Sequence, residues 1–504
     1  MKLEEYQTSS TDKYYTETYR PQFHFTPESN WMNDPNGMVY FEGEYHLFYQ
    51  YHPYDTIWGP MHWGHAVSKD LIHWEHLPIA LSPDENGAIF SGSAVVDWND
   101  STGFFNGGSG LVAIFTHADQ YSNSERPRQR QSLAYSNDKG RTWNMYKGNP
   151  ILSDISITDF RDPKVFWHEN TKMWVMILAA GNHVRIYTSH DLKTWNFASE
   201  FGSDTGSQAG VWECPDLFEL PVDGKNENKK WVMIVSIGND AAYAEGSRTQ
   251  YFIGDFDGST FTNENSKETV HWLDLGRDNY AGVTWSDVPA EDGRRLFIGW
   301  MSNWKYANET PTKVWRSAMT LPRELNLVTT IDGVRISQTP ITELETLRKE
   351  NTKFENILIN ENVANVLSNI KGKAFELRAE FELETASVFG FKVRMSNDEK
   401  TIIGYNVTEK KLFIDRQNSG ETSFNPFFAC KHEAILEPKN NRIKMQIFVD
   451  WSSVEVFANN GELVMTDLIF PDCNSQGLEL FAVDGNVHLT SLDFYDLKSC
   501  WCKK

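Results

Sequence analysis

The sequence predicts an all-β protein, a five-bladed β-propeller followed by a C-terminal β-sandwich, and three observations predict it. A proline-centred motif recurs at matching places in the first two thirds. A Ser-x-Asp turn ahead of a tryptophan recurs downstream of it. The last third alternates apolar and polar residues with period two. A chain of 504 residues also exceeds what one hydrophobic core usually organises, so two or more domains are expected.

The proline repeat comes first. Asn33-Asp34-Pro35-Asn36-Gly37 aligns with Arg161-Asp162-Pro163-Lys164 and with Glu213-Cys214-Pro215-Asp216. Each is followed, after a turn, by a strand-like apolar run: Tyr45 to Tyr49, Met173 to Ile177 and Trp231 to Val235. In the second repeat, Ser68-Lys69-Asp70 precedes Trp74, Ser136-Asn137-Asp138 precedes Trp143, and Ser189-His190-Asp191 precedes Trp195. Asp255-Phe256-Asp257-Gly258 marks a related turn. Two more strand pairs, Ile89 to Val96 with Leu111 to Thr116 and Gly282 to Trp285 with Leu296 to Trp300, complete five units. Each spans roughly 50–70 residues, the size of a propeller blade.

Residues 1–18 read as an N-terminal tail, 19–325 as the propeller, and 326–353 as a linker ending in a short helix over Ile341 to Glu350. From 354 to 504 the texture is strand after strand. Phe375, Leu377, Ala379, Phe381 and Leu383 alternate with polar residues, as on a half-buried strand. Ile447 to Phe457 reads as another strand, ending at the hairpin signal Asn459-Asn460-Gly461. Strands without intervening helices read as a sandwich. It carries no catalytic-looking cluster, and bracing the propeller, holding polymer or forming a homodimer contact are the roles open to it.

Composition narrows the partners. A formal net charge of −22 argues against nucleic acid and anionic membranes and suits a neutral substrate. The 18 Trp, 19 Tyr and 31 Phe supply an aromatic core and rings that can stack on ligands such as sugars. No run of about 18 apolar residues exists to span a membrane. The polar N-terminus lacks a signal-peptide stretch, which leaves an extracellular chain already cleaved, the favoured reading, or a cytoplasmic one. Cys214, Cys430, Cys473, Cys500 and Cys502 form neither a disulfide framework nor a zinc signature. His62 with His65 and His73 with His76 lack an acidic or thiol partner at ligand spacing, so no metal and no cofactor are expected.

The chemistry lies in the aligned acids. Asp34 and Asp162 share one blade position and Glu213 lies one residue earlier. Equivalent positions in a propeller face one axis, so three carboxylates converge on one cavity. Folding gains nothing from such repulsion, whereas glycoside cleavage needs one carboxylate to attack and one acid to protonate the leaving oxygen. Glu213 is the acid candidate, because crowding by two aspartates and burial favour the protonated form. Asp34, in a turn with free N–H groups and Asn33 beside it, is the candidate to stay ionised and attack. Asp162 would oppose positive charge developing on the ring, and Arg161 could bond hydroxyls. Each motif alone is a generic turn or local ion pair; their shared position in a repeat is what singles them out.

These residues resemble glycoside hydrolase family 32, the invertases, inulinases and levanases. The segments that carry the resemblance are Trp31 to Gly37, Phe90-Ser91-Gly92-Ser93, Arg161-Asp162-Pro163 and Glu213-Cys214-Pro215. It implies a five-bladed propeller joined to a sandwich, net retention through a covalent fructosyl-enzyme, and the roles given above to Asp34, Asp162 and Glu213. Phe48 to Pro53, Gly59 to His65 and Gly299 to Trp304 are most similar to bacterial levanases and microbial exo-inulinases. By that similarity Asn33, Gln50, Trp58, Phe90, Ser91, Arg161 and Trp304 line a terminal-fructose pocket, with levan, inulin or sucrose as substrate. Exo-hydrolysis is favoured over endo-action, fructosyl transfer or mere binding. The chain departs from the family pattern at Asn279, in Arg277-Asp278-Asn279-Tyr280, and in the loop from Asp119 to Gln131.

Overall fold

The computed structural model describes residues 15–238 and 245–501, and it is almost entirely β. The expected tail lies mostly outside the described residues. Its end does not hang free: Tyr15 stacks on Trp501 at 4.0 Å between ring centroids and bonds His76 Nε2 at 2.8 Å.

Five blades of mainly antiparallel strands surround one axis, the fourth and fifth joined in a single ten-stranded sheet. Their innermost strands are Asn30–Phe41, Ala88–Asp97, Phe160–His168, Trp212–Val222 and Tyr280–Thr284, one from each of the five repeat units. Blades one to four are up-and-down meanders, each strand pairing with the next in sequence. The fifth places Arg295–Met301 beside Tyr280–Thr284, then the hairpin of Arg323–Thr330 and Gly333–Pro340. Its third strand, Arg323–Thr330, also pairs with blade four through Val222 and Leu327. The ring closes where Trp315–Arg316 pairs parallel with Asn30 and Trp31, and where Ser286 exchanges backbone bonds with Met38 and Tyr40.

The Ser-x-Asp repeat makes the turn into the outer strand. Asp70, Asp138 and Asp191 each accept backbone N–H groups from residues two to four ahead. The tryptophan that follows folds back, Trp74, Trp143 and Trp195 donating to the carbonyls of Leu71, Gly140 and Leu192. Asp257 makes the same turn with Ser259 and Thr260 and no tryptophan. Blade faces pack on one another through buried Val175, Ile177, Trp212, Met233 and Phe252, each adding about 1.5–3 kcal/mol of burial.

The sandwich stacks a six-stranded sheet on a five-stranded one. Phe375, Leu377, Ala379 and Phe381 all point into its core, as their period-two spacing predicts. Three expectations need correction. The linker over 326–353 is not irregular, because the hairpin ending at Pro340 belongs to blade five and Arg348–Ile359 is already an edge strand of the sandwich. Its helix is only a 3₁₀ turn over Thr342–Leu347, since Leu344 and Leu347 alone find a core and no side chain caps its start. The strand read across Ile447 to Phe457 is two, Arg442–Val449 and Ser453–Ala458, turning at Asp450-Trp451-Ser452. That turn is held from outside: Asp450 accepts the backbone N–H groups of Gln22 and Phe23 and bonds His24.

Candidate active site

Every innermost strand breaks register at the same level. The pairing slips between Met32 and Pro35, Ile89 and Gly92, Arg161 and Lys164, Glu213 and Asp216, and Tyr280 and Val283. A β-bulge leaves its extra residues unpaired and re-aims their side chains, so five bulges at one height build one floor of convergent groups. Asp162, Cys214 and Ala281 occupy these bulges with φ of 64°, 47° and 54°, a left-handed backbone that the surrounding blades must hold in place. The proline of each motif fits because the ladder needs no N–H there.

The three acids meet on this floor. Asp34 Oδ2 accepts from Ser91 Oγ at 2.6 Å and from Cys214 Sγ at 3.5 Å, and Oδ1 from Asn33 Nδ2 at 3.0 Å. Asp162 Oδ2 accepts the Cys214 backbone N–H at 3.0 Å, and the Cys214 thiol lies 3.7 Å from it. One sulfur therefore touches both aspartates. Glu213 Oε1 accepts from Arg161 Nη2 at 2.8 Å, and its other oxygen accepts the Tyr280 hydroxyl. Arg161 is itself fixed by Asp159 at 2.6 Å and Gln129 at 3.2 Å.

Burial falls differently from the expectation that placed it on Glu213. The Asp162 side chain is 6% exposed and that of Glu213 22%. Desolvation pushes Asp162 up to about 7; Arg161 opposes that rise, while Glu213 and Asp34 add repulsion. Burial also raises Asp34, contrary to its expected ease of ionisation, with Ser91, Asn33 and Cys214 as the donors that favour the carboxylate. The cause is position: the bulge residues sit deeper than the last paired residue before them, which is where Glu213 stands.

The remaining expected residues surround the same floor. Trp58 and Phe90 meet edge to face with centroids 6.0 Å apart, and Trp58 is 44% exposed. Trp304 stacks on Trp31 at 5.9 Å, and Trp31 Nε1 in turn fixes Asn33 Oδ1 at 2.8 Å. Gln50 is already committed, its amide donating to Ile89 O at 3.0 Å across two blades. Asn279 does not form the wall it was expected to alter. It points behind the site, bonding Asp274 at 3.2 Å, where a β-carbon on Gly299 would collide with it. The loop from Asp119 extends the hairpin of blade two at this end, with Arg128 and Arg130 both on Asp119.

Sequence reasoning passed over two contacts. Cys214 was set aside as a scattered thiol, although it stands just before its motif proline, as Asp34 and Asp162 do in their blades. Tyr280 bonds Glu213 directly, a cross-blade contact that no spacing announces.

Comparison with known proteins agrees with this architecture. Residues 24–340 match the family model "Glycosyl hydrolases family 32 N-terminal domain" and residues 343–496 match "Glycosyl hydrolases family 32 C terminal". A levanase of Bacillus subtilis is 57% identical over 497 residues, covering 98% of this chain and 72% of that protein. An extracellular exo-inulinase of Aspergillus awamori is 37% identical over 97% of this chain and 96% of its own length. The crystal structure of an Aspergillus awamori exo-inulinase superposes with a TM-score of 0.89 at 37% identity, covering 97% of this chain and 100% of that one. With both halves of the chain matched and the three acids on one floor, this protein belongs to glycoside hydrolase family 32.

Proposed function

We propose that the chain releases terminal β-D-fructofuranosyl units from levan, inulin and sucrose with net retention, Asp34 attacking and Glu213 serving as acid and base. The observation that carries the reading is the meeting of three carboxylates at the bulges of separate blades, Asp34 and Asp162 within them and against one thiol, Glu213 on the paired residue just before one. In the first step an Asp34 oxygen bonds the anomeric carbon while the bond to the leaving oxygen breaks and Glu213 supplies that oxygen's proton. In the second, water bonds the same carbon, Glu213 takes its proton, and the bond to Asp34 breaks, giving fructose. Asp162 lies where negative charge opposes the oxocarbenium character of both transition states. Ser91 and Asn33 fix the orientation of the nucleophile, and Arg161 with Tyr280 fixes that of Glu213.

Trp58, Phe90 and Trp304 supply apolar walls for the sugar, while Arg161, Asn33 and Gln50 offer polar atoms at its edge. Chemistry is assigned to the propeller read over 19–325, with the sandwich read over 354–504 as its brace. The relatives named extracellular support action outside the cell. A chromatographic time course on levan, inulin and sucrose tests the whole reading. Fructose alone from the first time point is expected, and the relative rates rank the linkages. Short oligosaccharides appearing first would replace exo-hydrolysis by endo-action or transfer, and no product from any of the three would end the hydrolytic reading.

A further inference from the structure

The propeller axis has a second mouth. The innermost strands run on past the acids, and their far ends enclose a cavity of about 570 Å³. Lys164 and Asp216, two residues beyond Asp162 and three beyond Glu213, form a buried ion pair at 3.2 Å between the acid floor and this cavity. Glu219 lies six residues past Glu213, roughly 20 Å along a strand. The cavity is therefore at the opposite end of the axis from the acids, and its volume falls within the roughly 300–1,000 Å³ of small-ligand sites.

Its lining is aromatic and unevenly satisfied. Trp98, Phe166 and Trp167 present rings to it, and Trp98 is 55% exposed, high for an indole. The indole N–H groups are occupied, Trp98 on Asp287 at 2.9 Å and Trp167 on Glu169 at 2.8 Å, which fixes both ring planes. Lys164 is paired with Asp216 and Lys229 with Glu219. Arg295 is the exception. Its guanidinium lies 5.1 Å over the Phe218 ring and makes no hydrogen bond or ion pair among the described residues. Burial holds it below its ordinary value, with Asp216 and Glu219 opposing that fall. The Arg295 side chain is partly exposed, so its N–H donors face the water of the cavity, and a ligand with oxygen acceptors can take the place of that water.

Charge decides the class of that ligand. Three cations face four carboxylates around the cavity, Lys164, Lys229 and Arg295 against Glu169, Asp216, Glu219 and Asp287. Lys172 pairs with Glu169 from outside the lining, so the wall is close to neutral, but an anion would still approach a chain of net charge −22. A neutral polyhydroxyl suffers no such repulsion: its hydroxyls accept from Arg295 and donate to carboxylates, while its C–H faces lie on the fixed indole planes. We propose that this far mouth is a second, non-catalytic site for a neutral oligosaccharide segment of the fructan polymer, with Trp98 and Trp167 as stacking platforms and Arg295 as donor to adjacent hydroxyls. The identity of the sugar rests on the hydrolytic reading above; the site itself rests on the cavity, the rings and the unpaired guanidinium.

Two readouts test it in the full chain. In native gels containing levan or inulin, D34N protein is expected to be retarded, and Trp98→Ala in that background should weaken the apparent affinity at least fivefold. In the otherwise wild-type chain, Trp98→Ala and Arg295→Gln should each raise KM for polymer at least fivefold while kcat/KM for sucrose stays within twofold. Trp98 is exposed enough that its loss leaves folding intact, so a poorly folded Arg295→Gln would not remove the test. Unchanged retardation and unchanged polymer KM in Trp98→Ala would overturn the site, as would an equal loss on polymer and sucrose. If wild-type enzyme cleaves none of the sugars, the hydrolytic reading fails alone, and the gels still decide this one.

Discussion

Glu213 is held by two donors from two blades, Arg161 and Tyr280, and stands at the mouth of the acid floor rather than in its depth. Replacing it should therefore remove proton transfer without disturbing packing. Glu213→Ala is expected to lower kcat on sucrose by on the order of 10²–10⁴-fold, with circular dichroism and melting temperature near those of wild type. Full activity in that variant would dismiss the acid/base assignment. Asp162 has the opposite character. Its folded value of about 7 lies above the ordinary 3.8, so the native state binds more protons than the unfolded chain between those values. Its contribution is most favourable near pH 4 and is lost as pH rises through 7. Asp162→Asn should accordingly raise the melting temperature more at pH 8 than at pH 4.5 while abolishing turnover. An equal shift at both pH values would show that Asp162 is not held protonated by its burial.

At the scale of elements, the repeated bulge is the device that makes a catalytic floor from five structural strands. In blade two it aims Ser91 at Asp34, and the next residue, Gly92, packs flat against the neighbouring strand. A β-carbon at Gly92 would sit 2.2 Å from Ile114 O and 2.6 Å from Phe115 Cα, both backbone atoms that cannot step aside. Gly92→Ala should shift the bulge, move Ser91 off the carboxylate, and cost on the order of 10²-fold in kcat with a smaller change in KM. A loss confined to KM would mean that the bulge shapes the pocket and not the nucleophile. The prolines and acids of three of these motifs are visible in sequence as a repeat, whereas the bulges of blades two and five carry Phe90-Ser91 and Ala281-Gly282. Their places were found from strand spacing alone, because a bulge is a property of two paired strands.

Over the whole molecule, buried charge joins the propeller to the sandwich. Arg323 of blade five donates to Glu455 of the sandwich at 2.6 Å and to Asp274 at 3.0 Å, all three nearly without solvent exposure. Arg323→Met strands two buried carboxylates and should cost about 3–5 kcal/mol in urea denaturation; a loss below 1 kcal/mol would show that the carboxylates find other partners. His24 adds a pH-dependent share. Burial lowers it, but Asp450 and Glu455 on either side lift it to about 9, above the ordinary 6.5. The stability this provides is complete below pH 6.5 and is lost as pH rises through 9. Wild type should thus lose melting temperature between pH 7 and 10, and His24→Gln should lose less across the same interval. A slope identical in both proteins would remove His24 from that account.

Local residue order pointed to the blades, to the alternating strands of the sandwich and to Asp34 and Asp162 at one repeat position with Glu213 one residue earlier. Each of these is a short-range pattern: a turn residue, a period of two, a motif at constant spacing. Tertiary structure alone decided what those patterns could not carry. It split Ile447 to Phe457 at Asp450, whose carboxylate is held by Gln22, Phe23 and His24, more than four hundred residues away in the chain. It turned Asn279 behind the wall and brought Tyr280 onto Glu213. It also placed the greater burial on Asp162 rather than on Glu213. The physical reason is common to all of these. Desolvation and cross-blade contact depend on which groups face each other across the axis, and that is settled only when the ring closes at Trp315 and Asn30.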